Sequence, residues 1–574
     1  MLTTEYSFLL VSLNIDAVLS EVTIHQRKKK LDQMIQGNGL RDAYSATLAR
    51  VKAQGESKSR LVMEALMWLS HSERTSYAEE LCHALGIEIG STDLNMRNIP
   101  AIETLLGCCL GLVRLEASSH KLRLVHYTLQ EYLSDNTDLF HNPHSTIAQV
   151  CLTYLNFQCV IGLSPVDGWS WKATPFLEYA SCYWRTHSGR EITESVNPLV
   201  LGLLNEFDQH VSSGIFFSSR VGSHELNWRN PAGFTGLHYA TYFGMVETVV
   251  GLLDMKEWDL EATDVGGNTA ILWAARNGHG AIVKVLLKQE GVAPNTTDKS
   301  GRTPLSWAAG NGYEDVARIL LEREDVTPNT VDRDGQTPLL WATRMGSCGI
   351  VEIILQRKDV TPDTADSDGR TPLLWAVGNG YEDVVRMLLE REDVTPNTAH
   401  RDGQTPLLSA TRLGCYGIVE IILQRKDVTP DTADSDGRTP LSWAAEKRYW
   451  GMVKRFLERE DVTPDTADKH GRTPLWLAEM NGCTRVVGML RERCGVSQDM
   501  ATTDPAGQAA LAGSSVRQHE GVVRRRLGNR GSALALVGSN VAMKGGVRSK
   551  NDRRRGARFF KPGGYKVEPL LKNR

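Results

Sequence analysis

DGRTPLLWAVGNGYEDVVRMLLEREDVTPNTAHR, residues 368–401, carries the start and stop signals of two short helices. Thr371 carries a side-chain oxygen able to cap a helix, and Pro372 then takes the first helical position, where a missing N–H costs nothing. Leu373, Leu374, Trp375 and Ala376 follow, and Gly380 supplies the left-handed conformation that ends a helix. A second helix is predicted from Glu382 to about Glu390, with Val384, Val385, Leu388 and Leu389 on one face. Pro396 cannot continue it, and Asp368 with Gly369 makes the turn into the unit. The stretch reads turn, helix, return, helix.

The same phrase recurs. Gly-x-Thr followed two places on by Leu, or once by Ile, has its glycine at Gly233, Gly267, Gly301, Gly335, Gly369, Gly403, Gly437 and Gly471, always 34 residues apart. A fixed period of this length means a stack of small units in which each covers its neighbour's apolar face. Copies three and five share Asn-Gly-Tyr-Glu-Asp-Val, while copies four and six share Gly-Ile-Val-Glu-Ile-Ile-Leu-Gln-Arg-Lys-Asp-Val, so a larger unit of 68 residues was duplicated. Duplication of pairs lengthens a surface; it does not build a catalytic site.

The unit resembles the ankyrin repeat, and the eight copies place an array over residues 230–500. Three departures from the family pattern stand out. The His that usually follows Thr-Pro-Leu survives only at His238, so its inter-repeat hydrogen bonds are mostly lost. Charged residues such as Glu322, Arg323, Glu324 and Asp325 replace the glycine that ends the second helix, and each unit is one residue longer than usual, with the extra residue placed before prolines such as Pro294, Pro328 and Pro362. Arg448 stands where Gly312 and Gly380 stand in their copies, so repeat seven is expected to be strained after its first helix.

One column runs Tyr239, Trp273, Trp307, Trp341, Trp375, Ser409, Trp443, Leu477. Its position on the first helix predicts indoles aligned along the buried core rather than a ligand platform. Ser409 is then the weak rung, with stabilisation on the order of 2 to 4 kcal/mol lower and local opening near repeat six.

In ankyrin proteins partners usually contact turn tips and inner helices. The matching positions here are Arg302, Gln336, Arg370, Gln404, Arg438 and Arg472, joined at the tips by Lys299, Arg333, Arg401 and Lys469. Asp334, Asp368, Asp402 and Asp436 lie beside them, a mixed stripe suited to an acidic or mixed-charge protein partner, or simply a solvated face. Arg344, Met345, Arg412 and Leu413 depart most from the other copies, and exposed Met or Leu there favours partner contact.

Before the array the period disappears. Helices are predicted over 58–71, 78–85 and 99–110, then two strands over 112–116 and 121–125, then a helix over 127–133. Three helices and a two-stranded wing describe a winged helix. Glu64-Ala-Leu-Met-Trp-Leu-Ser-His-Ser-Glu-Arg74, Glu80-Leu-Cys-His-Ala-Leu-Gly-Ile-Glu88 and Leu122-Arg-Leu-Val-His-Tyr-Thr-Leu-Gln-Glu-Tyr-Leu133 resemble the segment between nucleotidase and repeats in fungal NACHT and ankyrin proteins, which are NLR-like signalling ATPases. The resemblance implies that 1–57 is a remnant of the last NACHT helices, 58–140 the winged helix and 141–229 a helical connector. Those ATPases need Gly-x-x-x-x-Gly-Lys-[Ser/Thr], which the sequence lacks; Gly-Gly-Val-Arg-Ser-Lys at 545–550 has the wrong order. His126 fits the winged-helix histidine that touches a β-phosphate in such proteins; without a nucleotide lobe it reads as structural. The third helix holds Glu103 and no Lys or Arg, which argues against DNA in its groove-reading role.

The chain has 574 residues and net charge -3, but Gly513–Arg574 holds 16 Lys or Arg against 3 acids. This segment, the end of a degenerate repeat and tail at 501–574, reads as disordered, and either as a nuclear or nucleic-acid patch or as a bland solubilising or misread tail. Ten cysteines without Cys-x-x-Cys spacing point to reduced thiols, no metal site and a cytoplasmic protein, with the nucleus as the alternative. No apolar run approaches the ~18 to 20 residues of a membrane span.

The reading is therefore all-α: an ankyrin-repeat helical solenoid preceded by a helical and winged-helix domain. Catalytic residues, metals and cofactors are expected to be none. The function expected is a non-catalytic scaffold for a protein partner. Two alternatives stay open: the regulatory half of a NACHT NTPase whose nucleotide lobe lies upstream, and nucleic-acid binding through the tail.

Overall fold

The computed structural model describes residues 22–29, 40–163, 174–191, 196–220 and 233–495. The basic tail, the ninth-repeat start near Gly507 and most of the segment 1–39 lie outside the described residues. Among them no helix is long and apolar enough to cross a membrane.

The first part begins with α1 (Leu40–Lys52), α2 (Glu56–His71), α3 (Ala78–Leu85) and α4 (Ile102–Cys108). Strands β1 (Val113–Glu116) and β2 (Lys121–Leu124) pair antiparallel with Val113 opposite Leu124 and Glu116 opposite Lys121, and α5 (Tyr127–Asp135) follows. Tyr77 bridges to Lys121, so the entry to α3 lies along β2. The helix expected from Ile99 starts only at Ile102, because Pro100 pushes its predecessor into extended backbone, and Ile99 has φ -72° and ψ 116°. It ends early too, where Leu110 (φ 48°) and Gly111 (φ 84°) turn the chain into β1.

Next come α6 (Pro143–Leu155), α7 (Gln158–Ile161), α8 (Leu177–Arg190), α9 (Asn197–Asn205) and α10 (Val211–Arg220). Helix α8 packs along α6 and brings Phe176 and Tyr179 against Trp68 of α2, with ring centroids 5.6 and 5.7 Å apart. The same helices gather three histidines that are distant in sequence. His187 is fully buried; its Nδ1 lies 2.8 Å from His144 Nδ1 and its Nε2 lies 2.9 Å from the Tyr179 hydroxyl. His71 packs edge-on against His144 at 5.4 Å. Burial first, then the positive potential of His144, Arg190 and His71, pushes the pKa of His187 down to about 3. Burial lowers His71 and His144 as well.

Eight helix pairs follow, with first helices Gly236–Tyr242, Ala270–Arg276, Pro304–Asn311, Pro338–Met345, Pro372–Asn379, Pro406–Leu413, Pro440–Glu446 and Pro474–Met480. Their mates are Val246–Met255, Gly280–Leu286, Glu314–Leu321, Cys348–Leu355, Glu382–Leu389, Tyr416–Leu423, Trp450–Leu457 and Thr484–Cys494. First helices stack on first helices and second on second. The local signals act as the sequence implies: Thr371 Oγ1 accepts the Leu374 N–H, and Gly380 at φ 77° closes the helix. Arg448 takes the same left-handed backbone at φ 63°, a strain on the order of 1–2 kcal/mol for a residue with a Cβ, and its helix is one residue shorter than that of repeat five. His238 makes the bridge lost elsewhere, its Nε2 lying 3.1 Å from the carbonyls of Ala262 and Asn268.

The apolar core is continuous from Tyr44 to Leu490. At the junction Trp184 of α8 stacks on Tyr239 of repeat one, centroids 5.6 Å apart. Helix α9 crosses the first helix there so closely that a Cβ on Gly236 would sit 1.8 Å from the Leu204 carbonyl oxygen, so only glycine fits. The two parts share one core because α9 covers the apolar end that a repeat stack otherwise exposes.

The charged run that replaces the helix-ending glycine has a structural role that sequence reading missed. In repeats three to seven an arginine at the end of the second helix, Arg323, Arg357, Arg391, Arg425 or Arg459, is gripped by the aspartate two residues on; Arg357 holds Asp359 at 2.9 and 2.8 Å. The other guanidinium nitrogen reaches back to carbonyls at the end of the preceding second helix, as Arg357 Nη1 does to Leu321 at 3.1 Å and Arg323 at 2.9 Å. These carbonyls are the acceptors a helix terminus leaves open. The clasp substitutes an inter-repeat cap for a local glycine cap.

A second tie runs beside it. Asn329 Nδ2 donates to the Asp359 carbonyl at 2.6 Å while its Oδ1 accepts the Thr361 N–H at 2.9 Å. Asn295 and Asn397 do the same. Copies four and six carry Asp363 and Asp431 instead; each accepts the threonine N–H at 2.7 Å, but Oδ1 is buried without a partner, since a carboxylate has no N–H for the carbonyl. Asp363→Asn and Asp431→Asn are each expected to raise stability by about 1 kcal/mol, read as a higher urea midpoint. No gain from either would mean that water already satisfies that oxygen.

Candidate partner-binding face

Repeats two to five, seven and eight are each entered through a tip held by one aspartate, buried in all but repeat seven. Asp332 Oδ1 accepts the N–H groups of Asp334 (3.0 Å) and Gln336 (2.9 Å), which folds the tip back on itself. Its Oδ2 accepts the indole N–H of Trp341, nine residues on, at 2.9 Å. Asp264, Asp298, Asp366 and Asp434 repeat the pattern with Trp273, Trp307, Trp375 and Trp443 at 2.9–3.0 Å. Gly335 at φ 73° lets the tips stack, because a Cβ there would meet the Ser367 amide at 3.0 Å. Successive tips are then joined by backbone bonds: Lys299 N–H to Gly266, Arg333 to Ser300, Ser367 to Asp334 and Lys469 to Asp436, all at 2.9–3.0 Å.

This anchoring corrects the expectation that the tryptophans line the core. Tyr239 and Trp273 are buried, but Trp307, Trp341, Trp375 and Trp443 are only partly so. The aspartate draws each indole N–H toward the tip, and the core beneath is filled by Leu305, Leu339, Leu373, Leu407 and Leu441 with the second-helix Val and Leu side chains.

The outward indole faces are covered by arginines. Arg276 lies over Trp273 (5.1 Å) and Trp307 (4.3 Å), and Arg302 over Trp307 (4.6 Å) and Trp341 (4.1 Å). Arg344 spans Trp341 (5.4 Å) and Trp375 (5.1 Å), and Arg370 covers Trp375 at 4.9 Å. Four indoles and four guanidiniums thus alternate from repeat two to repeat five, each contact within cation–π reach. Burial lowers the pKa of Arg276 and Arg302, opposed chiefly by Asp298 and Asp332 respectively.

Repeat six interrupts the series at several points together. Ser409 replaces the tryptophan, and His400 replaces its aspartate; among the described residues its ring accepts one backbone N–H, that of Asp402, at 3.0 Å. Among the described residues no backbone bond joins tips 368 and 401 or tips 402 and 435, the places where the other copies have one. Beyond it, Arg438 covers Trp443 at 4.8 Å and forms an ion pair with Glu446 at 2.7 Å. In repeat eight, where Leu477 stands in the column, Arg472 takes the vacated Asp468 Oδ2 at 2.8 Å.

The candidate contact residues divide accordingly. Lys299, Arg333, Arg401 and Lys469 are exposed at the tips, and Arg412 is exposed beside Leu413 (51% exposed), as Met345 (39%) is beside the half-buried Arg344. Arg302, Arg370 and Arg438 are half-buried and stacked, Arg472 is tied to Asp468, and Gln404 is half-buried. Gln336 does not belong to the surface: it is only 6% exposed, because its backbone N–H is folded under the tip by Asp332. Arg276 and the aspartate column were missed. The signal was available, since aspartate precedes tryptophan by nine residues in five copies and both change in the sixth.

A second feature lies before the array. A cleft of about 390 Å³ is bordered by Arg74, Arg123, His126 and Gln130. His126 Nδ1 accepts the Thr128 N–H at 3.3 Å and so caps α5. Arg74 is engaged by Glu80 at 2.7 Å and Glu178 at 3.6 Å. Among the described residues no group of His, Cys, Asp and Glu is arranged to hold a metal ion, and all ten cysteines are free.

Comparison with protein-family models agrees with this architecture. A family model described as "Ankyrin repeats (3 copies)" matches residues 210–298, 289–366, 355–434 and 426–504 in turn, together just over half of the chain. Among solved structures, the ankyrin repeat domain of Bcl-3, a member of the IkappaB protein family, is 25% identical over 39% of this chain and 99% of that one, with a TM-score of 0.35. EF0377, an ankyrin repeat protein, is 24% identical over 33% of this chain and 97% of that one, with a TM-score of 0.32.

Proposed function

Because this chain belongs to the ankyrin-repeat family, a fold of protein-interaction scaffolds, we propose that it is a non-catalytic scaffold that captures a partner protein on the tip and first-helix face of its array. One observation carries the reading: exposed Met345 and Leu413, each beside an arginine, occupy equivalent positions on that face two repeats apart. Apolar side chains rimmed by cations are the composition of an interface centre. The full-length chain is expected to retain a partner on affinity capture, and Met345→Asp with Leu413→Asp to release it, whereas Arg391→Gln on the clasp side does not. Equal capture by both variants would remove the face from consideration.

An origin in NLR-like signalling receptors accounts for the part before the array. The order of three helices, an antiparallel hairpin and a helix supports a winged-helix module, and His126 at the start of α5 beside an open cleft supports a second reading. In that reading the chain is the sensing half of a nucleotide-driven switch whose motor lies upstream. Its test is to add a separately produced nucleotidase lobe and measure whether the chain alters nucleotide turnover. We place the protein in the cytoplasm, with the nucleus as the alternative.

A further inference from the structure

The arginines of this protein fall into two populations. Those of the clasp have both nitrogens of their fork on an aspartate two residues away. Those of the ladder, Arg276, Arg344 and Arg370, have their flat faces covered by indoles, yet among the described residues no carboxylate comes within ion-pair distance of them and no acceptor takes their guanidinium N–H groups. Arg302 has only a loose approach to Asp332, 3.6 Å from Nε. Stacking restrains a guanidinium without using its in-plane donors, which are the groups that hold a carboxylate bidentately.

We propose that the ladder from repeat two to repeat five is a receptor for an extended acidic segment, one carboxylate to each guanidinium fork. This deepens the scaffold reading and rests on it. Stacked helices recur every 8–10 Å, and an extended chain advances about 3.3 Å per residue, so successive forks match an acid at roughly every third residue. The pre-ordered indoles reduce the side-chain entropy lost when each fork is filled. Single-stranded nucleic acid fits less well, because base stacking needs an open aromatic face and the inner indoles of this ladder carry an arginine on each side.

The probe is a labelled peptide of repeated Glu-Ser-Gly triplets, titrated into the full chain at low salt. Its comparators are an isomer of the same composition with the glutamates contiguous, and an oligothymidylate. The periodic peptide is expected to bind about ten-fold more tightly than its isomer, equivalent to ~1.4 kcal/mol, and to be weakened by a similar factor in Arg344→Gln with Arg370→Gln. The corresponding lysine pair keeps charge but not fork, and is expected to bind more weakly than the native chain. Equal binding of the two isomers overturns the proposal without any substitution. So does tighter binding of the oligothymidylate, or native affinity in either the glutamine or the lysine pair. If the triplet peptide fails while capture through Met345 and Leu413 persists, the ladder is not the receptor but the scaffold stands. Capture indifferent to Met345 and Leu413 removes the scaffold reading itself.

Discussion

Asp332→Ala is expected to lower stability by about 3 kcal/mol, because it strands one buried and two part-buried donors in one step. The amides of Asp334 and Gln336 and the indole of Trp341 all lose their acceptor, and Arg302 loses the carboxylate that acts on it most strongly. His400→Ala, the equivalent change in repeat six, removes a single acceptor for the Asp402 amide and is expected to cost under ~1 kcal/mol. Urea unfolding of the two variants makes the comparison, and hydrogen exchange at residues 334 and 336 locates it. Similar losses in both would mean that the tip is held by its backbone alone. The contrast also marks repeat six, short of the indole, the aspartate and two tip bonds, as the place where the array should open first, and for broader reasons than the missing tryptophan area foreseen from Ser409 alone.

Acidification is expected to weaken the part before the array well above the pH at which carboxylates titrate. His187 is neutral in the fold, with a pKa of about 3 against an ordinary 6.5, so the unfolded chain binds the extra proton. Stability is therefore complete above pH 6.5 and is lost as pH falls toward 3, at up to about 1.4 kcal/mol per pH unit. Between pH 6.5 and 5 that amounts to roughly 2 kcal/mol, and the lowered values of His71 and His144 act in the same direction. The groups facing the site are His71, His144, Tyr179, Glu73, Arg190 and Glu191. Arg190 is paired with Glu73 at 2.7 Å, and the Glu191 carboxylate accepts the Ser145 N–H at 2.9 Å. His187→Gln should flatten the dependence of the urea midpoint on pH even if it lowers the midpoint itself. A native chain equally stable at both ends of that interval would show the cluster to be hydrated.

The helices were legible because their punctuation is local. Thr371, Pro372 and Gly380 act within a turn of where they stand, and the second helix expected from Glu382 to about Glu390 runs from Glu382 to Leu389. Arg448 was legible for the same reason: a missing glycine at a left-handed position strains the backbone whatever surrounds it. Orientation was not. An indole on a helix reads as core by position, yet Trp341 turns to the tip because Asp332 waits there, and Arg302 of the preceding repeat lies over it. Gln336 reads as a surface residue by column and is buried by the fold of its tip.

The period, the helix pairs and the stacked architecture are written in the amino acids, since each depends on residues within one repeat and on an apolar face that only a neighbour can cover. Tertiary structure alone decided which arginines are already paired and which keep their forks open. That choice lies between groups about one repeat apart in sequence that meet only on stacking, as Arg357 meets Leu321 and Arg276 meets Trp307. The histidine cluster is the extreme case: His71, His144 and His187 carry no mutual signal in the chain, and burial by three helices gives them one shared pKa environment.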